Sequence, residues 1–135
     1  MIMKGLPPRI SAFSQPWWDA LDREEIVMQR CDDCARLVFY PRPLCPHCHG
    51  RSLSWTEVVE TPTLFTWAKA EASVSPAFDH LGPVILAVAD FAGAHVPTSL
   101  VDTPEEAVRI GMRLEPVFDR ESYPGHTLLR FRALE

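Results

Sequence analysis

Cys31-Asp32-Asp33-Cys34 and, after ten intervening residues, Cys45-Pro46-His47-Cys48 decide the fold of the first part of this chain. The sequence contains no cysteine outside these four. Two residues between thiolates let both sulfurs of a pair reach one ion from a tight turn. Four thiolates then close a tetrahedral shell of the kind that holds structural zinc. A closed shell leaves no position for water or substrate, so such a metal holds structure. Iron in a rubredoxin-like site takes identical ligands and stays open as the alternative metal. Two disulfides are the competing reading. They suit short secreted chains, and the start Met1-Ile2-Met3-Lys4-Gly5-Leu6-Pro7-Pro8 has no apolar stretch of signal-peptide length. A cytoplasmic location is the expectation. A redox Cys-x-x-Cys has no need of a duplicate pair. His47 and His49 flank Cys48 and are substitute ligands in principle, but with four cysteines present they are expected to face solvent.

Working outward, residues 25–30 read as a strand into the first knuckle and residues 36–40 as a strand out of it. Pro41-Arg42-Pro43 stiffens the link to the second knuckle. Two knuckles on short hairpins around one ion make a zinc ribbon. So few residues bury no core of their own, so metal binding is expected to supply most of the ribbon's folding free energy. Upstream, residues 1–13 read as a loose arm and residues 15–21 as a short helix with Pro16 in its first turn. Trp17, Trp18 and Leu21 share one side of it. A helix this short needs a surface to pack on.

Past Gly50 the pattern becomes that of a β domain. Residues 53–60, 63–70, 84–91, 95–101, 113–119 and 127–131 read as strands. The run at 84–91 is almost continuously apolar, which predicts a central strand buried on both faces. Asp90 interrupts it and is expected to bond the Ala92-Gly93 turn. Thr103-Pro104-Glu105-Glu106 has the form of a capped helix start, with Gly111 as its stop, and Pro116 points to an edge strand. The fold class is therefore mainly β. A short N-terminal helix (1–24) precedes a rubredoxin-like ribbon (25–52) and a five- to six-stranded OB-type barrel (53–135). A sandwich is the fallback.

Composition narrows the partners. With 135 residues the chain is one ordinary domain, or a small module plus a medium one. Its longest apolar run, 83–89, is strand length against the ~20 residues of a membrane span, so no membrane is expected. The net charge of -5 counts against a sequence-independent grip on nucleic acid. Proline is frequent, 13 residues, but scattered, so it punctuates short elements and marks no disordered tract.

These pieces together resemble a known family: the acyl-CoA-associated OB-fold proteins with a rubredoxin-like zinc ribbon, associated with thiolases and hydratases. The resemblance covers roughly residues 14–132. It is carried by the Trp-bearing helix, Gln29-Arg30-Cys31-Asp32-Asp33-Cys34, Phe39-Tyr40-Pro41-Arg42, Cys45-Pro46-His47-Cys48, Leu53-Ser54-Trp55, Phe65-Thr66-Trp67 and Ile110-Gly111-Met112-Arg113-Leu114. The family usually places glycine after the second cysteine, where this chain has Ala35, and Gly50 falls one residue late, after His49. A Gly-rich turn of the family is here Glu60-Thr61-Pro62-Thr63. The resemblance implies a non-catalytic accessory subunit that binds acyl-CoA, docks onto a thiolase-like enzyme or a hot-dog-fold hydratase, or does both. A homodimer is a further expected assembly.

No catalytic constellation stands out. The sequence has no Gly-x-Ser-x-Gly turn and no phosphate-cradling Gly-rich loop. His80 beside Asp79, His95 and His126 read as solvated loop or turn residues. A CoA site needs cations for its phosphates and an apolar slot for its pantetheine arm. Arg42, Lys69 and Arg113 are the candidate cations, with Phe39, Trp67 and Phe78 as the candidate slot. Two other classes compete. A nucleic-acid-binding OB and ribbon protein would stack bases on Phe65 and Trp67. A stand-alone enzyme is disfavoured by the missing catalytic set.

Overall fold

The computed structural model describes residues 7–71, 76 and 82–134. One helix, α1 (Gln15–Asp22), precedes eight strands. The first three, β1 (Val27–Cys31), β2 (Leu37–Val38) and β3 (Leu53–Glu57), form a three-stranded antiparallel sheet with β1 in the centre. The other five are β4 (Thr63–Ala70), β5 (Val84–Phe91), β6 (Ala94–Leu100), β7 (Leu114–Asp119) and β8 (Leu128–Ala133), in the order β4-β5-β6-β8-β7. All neighbours run antiparallel except β6 and β8, which meet in parallel at Leu100 and Phe131.

The two outer strands of the larger sheet approach each other. Thr63 bridges Arg113, and Leu64 exchanges backbone bonds with Met112 (2.9 Å) and Gly111 (2.8 Å). Gly111 takes φ +87°, a left-handed turn that glycine enters without steric cost and that delivers the chain into β7. β7 is the sheet's last strand, so the proline at 116 sits where no second ladder needs its missing amide.

Leu64, Phe91, Leu114 and Phe131 point inward and are fully buried. Their core is continuous with Met28 and Leu37 from the smaller sheet, with Ile26 and Val58 that flank it, and with Trp17 and Leu21 from α1. The short helix therefore has the surface it needs. Its N-terminal end is tied as well: the buried Ser14 accepts the Ser11 amide at 2.9 Å, so the last residues of the expected loose arm form a fixed turn. At the other end, Thr127 donates to Asp22 (2.7 Å), while Arg120 donates to Thr127 (3.2 Å) and to the Asp22 carbonyl (2.9 Å).

Three elements differ from their sequence reading. The strand at 53–60, read as the first of the barrel, ends at Glu57 and pairs with β1 from Cys31↔Leu53 to Val27↔Glu57. The expected helix after Thr103 is a single 3-10 turn, Glu105–Ala107. Thr103 does not cap it, because its hydroxyl donates to the Val101 carbonyl (2.9 Å) and accepts from the Ala133 amide (3.1 Å). Finally, β5 is an interior strand of its sheet, but among the described residues it is buried on one face only. Ala87, Ala89 and Phe91 face the core, while Leu86 on the opposite face is 49% exposed. Asp90 does bond the following turn, accepting from Gly93 at 2.8 Å.

Candidate functional site: a four-cysteine metal centre

The same turn is built twice. In the first knuckle the Ala35 amide donates to the Cys31 carbonyl (2.9 Å), and the Cys34 amide lies 3.5 Å from Cys31 Sγ. In the second, the His49 amide donates to the Cys45 carbonyl (2.9 Å), and the His47 amide lies 3.4 Å from Cys45 Sγ. The residue closing each turn is left-handed, Ala35 at φ 64° and His49 at φ 65°. Glycine fills such a position most readily, so both knuckles hold a Cβ under local strain. Gly50 serves a different need. A Cβ there would strike the Asp33 carboxylate and lie 3.3 Å from Cys48 Sγ.

The turns aim four sulfurs at one point. All lie within 4.8 Å of one another, with Cys31–Cys48 at 3.5 Å and Cys34–Cys45 at 3.7 Å. A tetrahedral zinc–thiolate shell with 2.3 Å bonds has edges of about 3.8 Å. A disulfide needs its sulfurs at about 2.05 Å. The geometry is that of a metal shell, and all four cysteines are free of disulfides. Cys31 and Cys45 are buried, Cys34 half-buried and Cys48 exposed. His47 and His49 both lie exposed, and His47 Nδ1 is 3.4 Å from an Arg36 nitrogen.

Electrostatics point the same way. Burial pushes the Cys45 thiol up, but the Cys48 and His47 amides and the neighbouring sulfurs outweigh it, and the thiol falls to about 7. At Cys48 the Gly50 amide pulls the thiol down, yet the other sulfurs and burial drive it up to about 12. At Cys34 the Arg36 amide pulls down, and burial with the Cys45 and Cys31 thiols prevails, raising it. One thiolate thus forms near neutral pH and opposes the rest. A bound dication relieves that repulsion. Among the described residues this is the group of acidic, histidine and cysteine side chains that can hold a metal.

The candidate CoA residues are dispersed. Arg42 folds back on its own segment, donating from Nε to the Tyr40 carbonyl (2.8 Å) and from Nη2 to the Phe39 carbonyl (3.1 Å), while its amide donates to Gln29 (2.8 Å). Lys69 pairs with Glu105 (2.9 Å) and Glu71 (3.3 Å), which hold its ammonium above the usual lysine range, Glu105 most strongly. Arg113 is exposed beside Thr63, at the far end of β4 from Lys69, roughly 20 Å away at about 3.3 Å per strand residue. Phe39 is half-buried, 4.9 Å from the Trp17 ring, and Trp67 packs against the core. Phe78, His80 and Asp79 lie outside the described residues. Phe65 and Trp67 do not make one base-stacking platform, since Trp67 joins the core while Phe65 is exposed and stacks on His95 at 4.1 Å.

Sequence reasoning did not foresee a cleft of about 320 Å³ between α1, the segment after β2 and the larger sheet, lined by Trp17, Trp18, Phe39, Tyr40, Pro97 and Leu129 among others. Trp18 Nε1 donates to Tyr40 Oη across it at 3.0 Å. The available signal was the pair of aromatic dipeptides, Trp17-Trp18 on the helix before the ribbon and Phe39-Tyr40 between its two knuckles.

Comparison with known proteins agrees with this geometry. Residues 18–54 match the rubredoxin-like zinc ribbon domain of ChsH2, and residues 55–119 match the ChsH2 C-terminal OB-fold domain. A probable enoyl-CoA hydratase alpha subunit of Thermomonospora curvata is 32% identical over 96% of this chain, which spans 40% of that relative's length. A DUF35 domain-containing scaffold protein of Methanocaldococcus jannaschii is 28% identical over 77% of this chain and 74% of its own. Among solved structures, a chain of the Ltp2-ChsH2(DUF35) aldolase superposes with a TM-score of 0.78 at 29% identity, covering 94% of this chain and 98% of that one. A DUF35-family protein of unknown function from Sulfolobus solfataricus shares the fold, with a TM-score of 0.64 at 16% identity over 88% of this chain and 83% of that one. With both halves matched in order and the cysteine shell in place, the chain belongs to the ChsH2-type DUF35 family, which joins a rubredoxin-like zinc ribbon to a C-terminal OB-fold domain.

Proposed function

We propose that this chain is a non-catalytic accessory subunit that docks onto an acyl-CoA-processing enzyme of hydratase, aldolase or thiolase-like type and holds the CoA part of its substrate. One observation carries the reading: the metal shell takes all four cysteines, and the rest of the chain follows a family whose relatives are named as a hydratase subunit, a scaffold protein and part of an aldolase. Zinc is the metal of this reading, held by Cys31, Cys34, Cys45 and Cys48. It supplies folding free energy to the knuckles, and residues 25–52 act as a ribbon module against a barrel at 53–135. Cytoplasmic acyl-CoA metabolism is the setting. No described helix is long and apolar enough to cross a membrane.

The aromatic cleft is the best-supported place for the pantetheine arm, with Phe39 in its lining and Arg42 bracing the same segment. Lys69 serves a phosphate only by exchanging Glu105, and neither Arg113 nor Trp67 lines the cleft. The test is affinity capture of the tagged full chain from its native cell, followed by mass spectrometry. An acyl-CoA enzyme recovered in stoichiometric amount is the expected result. Its absence under conditions that preserve other complexes would refute the reading.

A further inference from the structure

We infer that the outer face of β4, β5 and β6 is the surface on which the partner enzyme subunit sits; this rests on the accessory reading above. The sequence of β5 is that of a strand covered on both sides, yet among the described residues the side carrying Leu86 stays largely open, with only Ser99 buried on it. Register fixes which residues share the open side. Ala68 lies opposite Leu86, Thr66 opposite Val88, and Val88 opposite Pro97. Phe65, put out by the irregularity between Leu64 and Thr66, is 50% exposed and lies over His95. Along these strands the face is apolar except for Thr66, Ser99 and the Asp90–His95 pair at 3.7 Å. Lys69, opposite Ile85, belongs to the other side and turns to Glu105.

Charge and area select the occupant. No lysine or arginine lies on this face, and the chain carries -5 overall, so neither an anionic lipid surface nor a nucleic acid is attracted to it. Three strands about 4.8 Å apart and seven residues long present roughly 300 Å². That is the size of a functional patch. Two copies meeting through it would bury roughly 600 Å², well short of the ~1,200 Å² of a stable complex. A larger partner clears that limit by reaching further. Pro97 lies on this face and also lines the aromatic cleft beside Trp18 and Tyr40, so one continuous surface joins the two. The occupant is an enzyme subunit with an apolar patch and a basic group placed to meet Asp90.

Leu86→Arg tests this, with Ile110→Arg as control, because Ile110 is also a solvent-facing apolar residue and sits in the turn before β7, outside these three strands. Both sites are exposed, so both variants should keep the wild-type melting profile. The affinity of each full chain is measured for the acyl-CoA enzyme subunit recovered with the wild type, and sedimentation equilibrium is run on each chain alone. The expected result is a loss of at least about 100-fold for Leu86→Arg, near-wild-type affinity for Ile110→Arg, and monomers throughout. Equal affinity of Leu86→Arg and wild type overturns the face while leaving the accessory reading intact. A wild-type dimer abolished by Leu86→Arg makes the occupant a second copy and also overturns it. Recovery of no acyl-CoA enzyme removes both.

Discussion

Ala35 and His49 show what single residues carry. Each closes a knuckle in the left-handed region, which glycine enters at least cost. Ala35→Gly is expected to raise the stability of the metal-loaded ribbon by about 1 kcal/mol, read as a higher melting temperature with unchanged metal stoichiometry. A lower melting temperature would contradict the strain argument. Asp119 is a second such residue. Burial pushes its carboxyl up, but the Ser122 hydroxyl, the Ser122 and Glu121 amides and Arg130 outweigh this and hold it below its ordinary 3.8. A depressed carboxyl stabilises the fold above its unfolded value and loses that contribution as pH falls through the folded one. Asp119→Asn should therefore lower the melting temperature at neutral pH and flatten its fall below about pH 4. An unchanged acid profile would show that Asp119 carries no such linkage. The cysteines were legible because ligand spacing is local. The fates of Arg42 and Lys69 were not, because their partners depend on a chain reversal and a distant turn.

Elements repeat the lesson at a larger distance. β4 and β5 were readable because alternation and branched side chains are local properties. β3 was readable as a strand but not as β1's neighbour, since a short strand's pattern does not name its sheet. The helix after Thr103 failed because tertiary bonds from Val101 and Ala133 claimed the hydroxyl that would have capped it. The junction of α1 with the 120–127 loop depends on Thr127, whose hydroxyl links Asp22 to Arg120. Thr127→Val keeps the shape and leaves Asp22 and Arg120 without their shared partner, at a cost of about 1–3 kcal/mol. Faster amide exchange in residues 15–22 is the predicted signature, and unchanged exchange would show that packing of Trp17 and Leu21, with the direct Arg120–Asp22 bond, is enough to hold the helix.

In the whole molecule the smaller sheet shares a core with the OB-fold domain, and its knuckles carry the four-cysteine shell. Cys31, Val38 and Cys45 form a small cluster apart from the main core. Cys31→Ser, or a chelator, should release the metal and open the knuckles while the strands of the larger sheet persist by circular dichroism. Loss of all β structure would mean that the metal holds the barrel too. Acidification should act like the chelator, because the ligating thiolates must be deprotonated and protons compete with the metal. In the accessory reading the chemistry belongs to another chain. The decisive measurement is acyl-CoA turnover by the captured enzyme subunit, with and without this protein, and by this protein alone. No turnover by this chain alone is expected, and a higher kcat/KM when it joins its partner. Turnover by the isolated chain would contradict that reading.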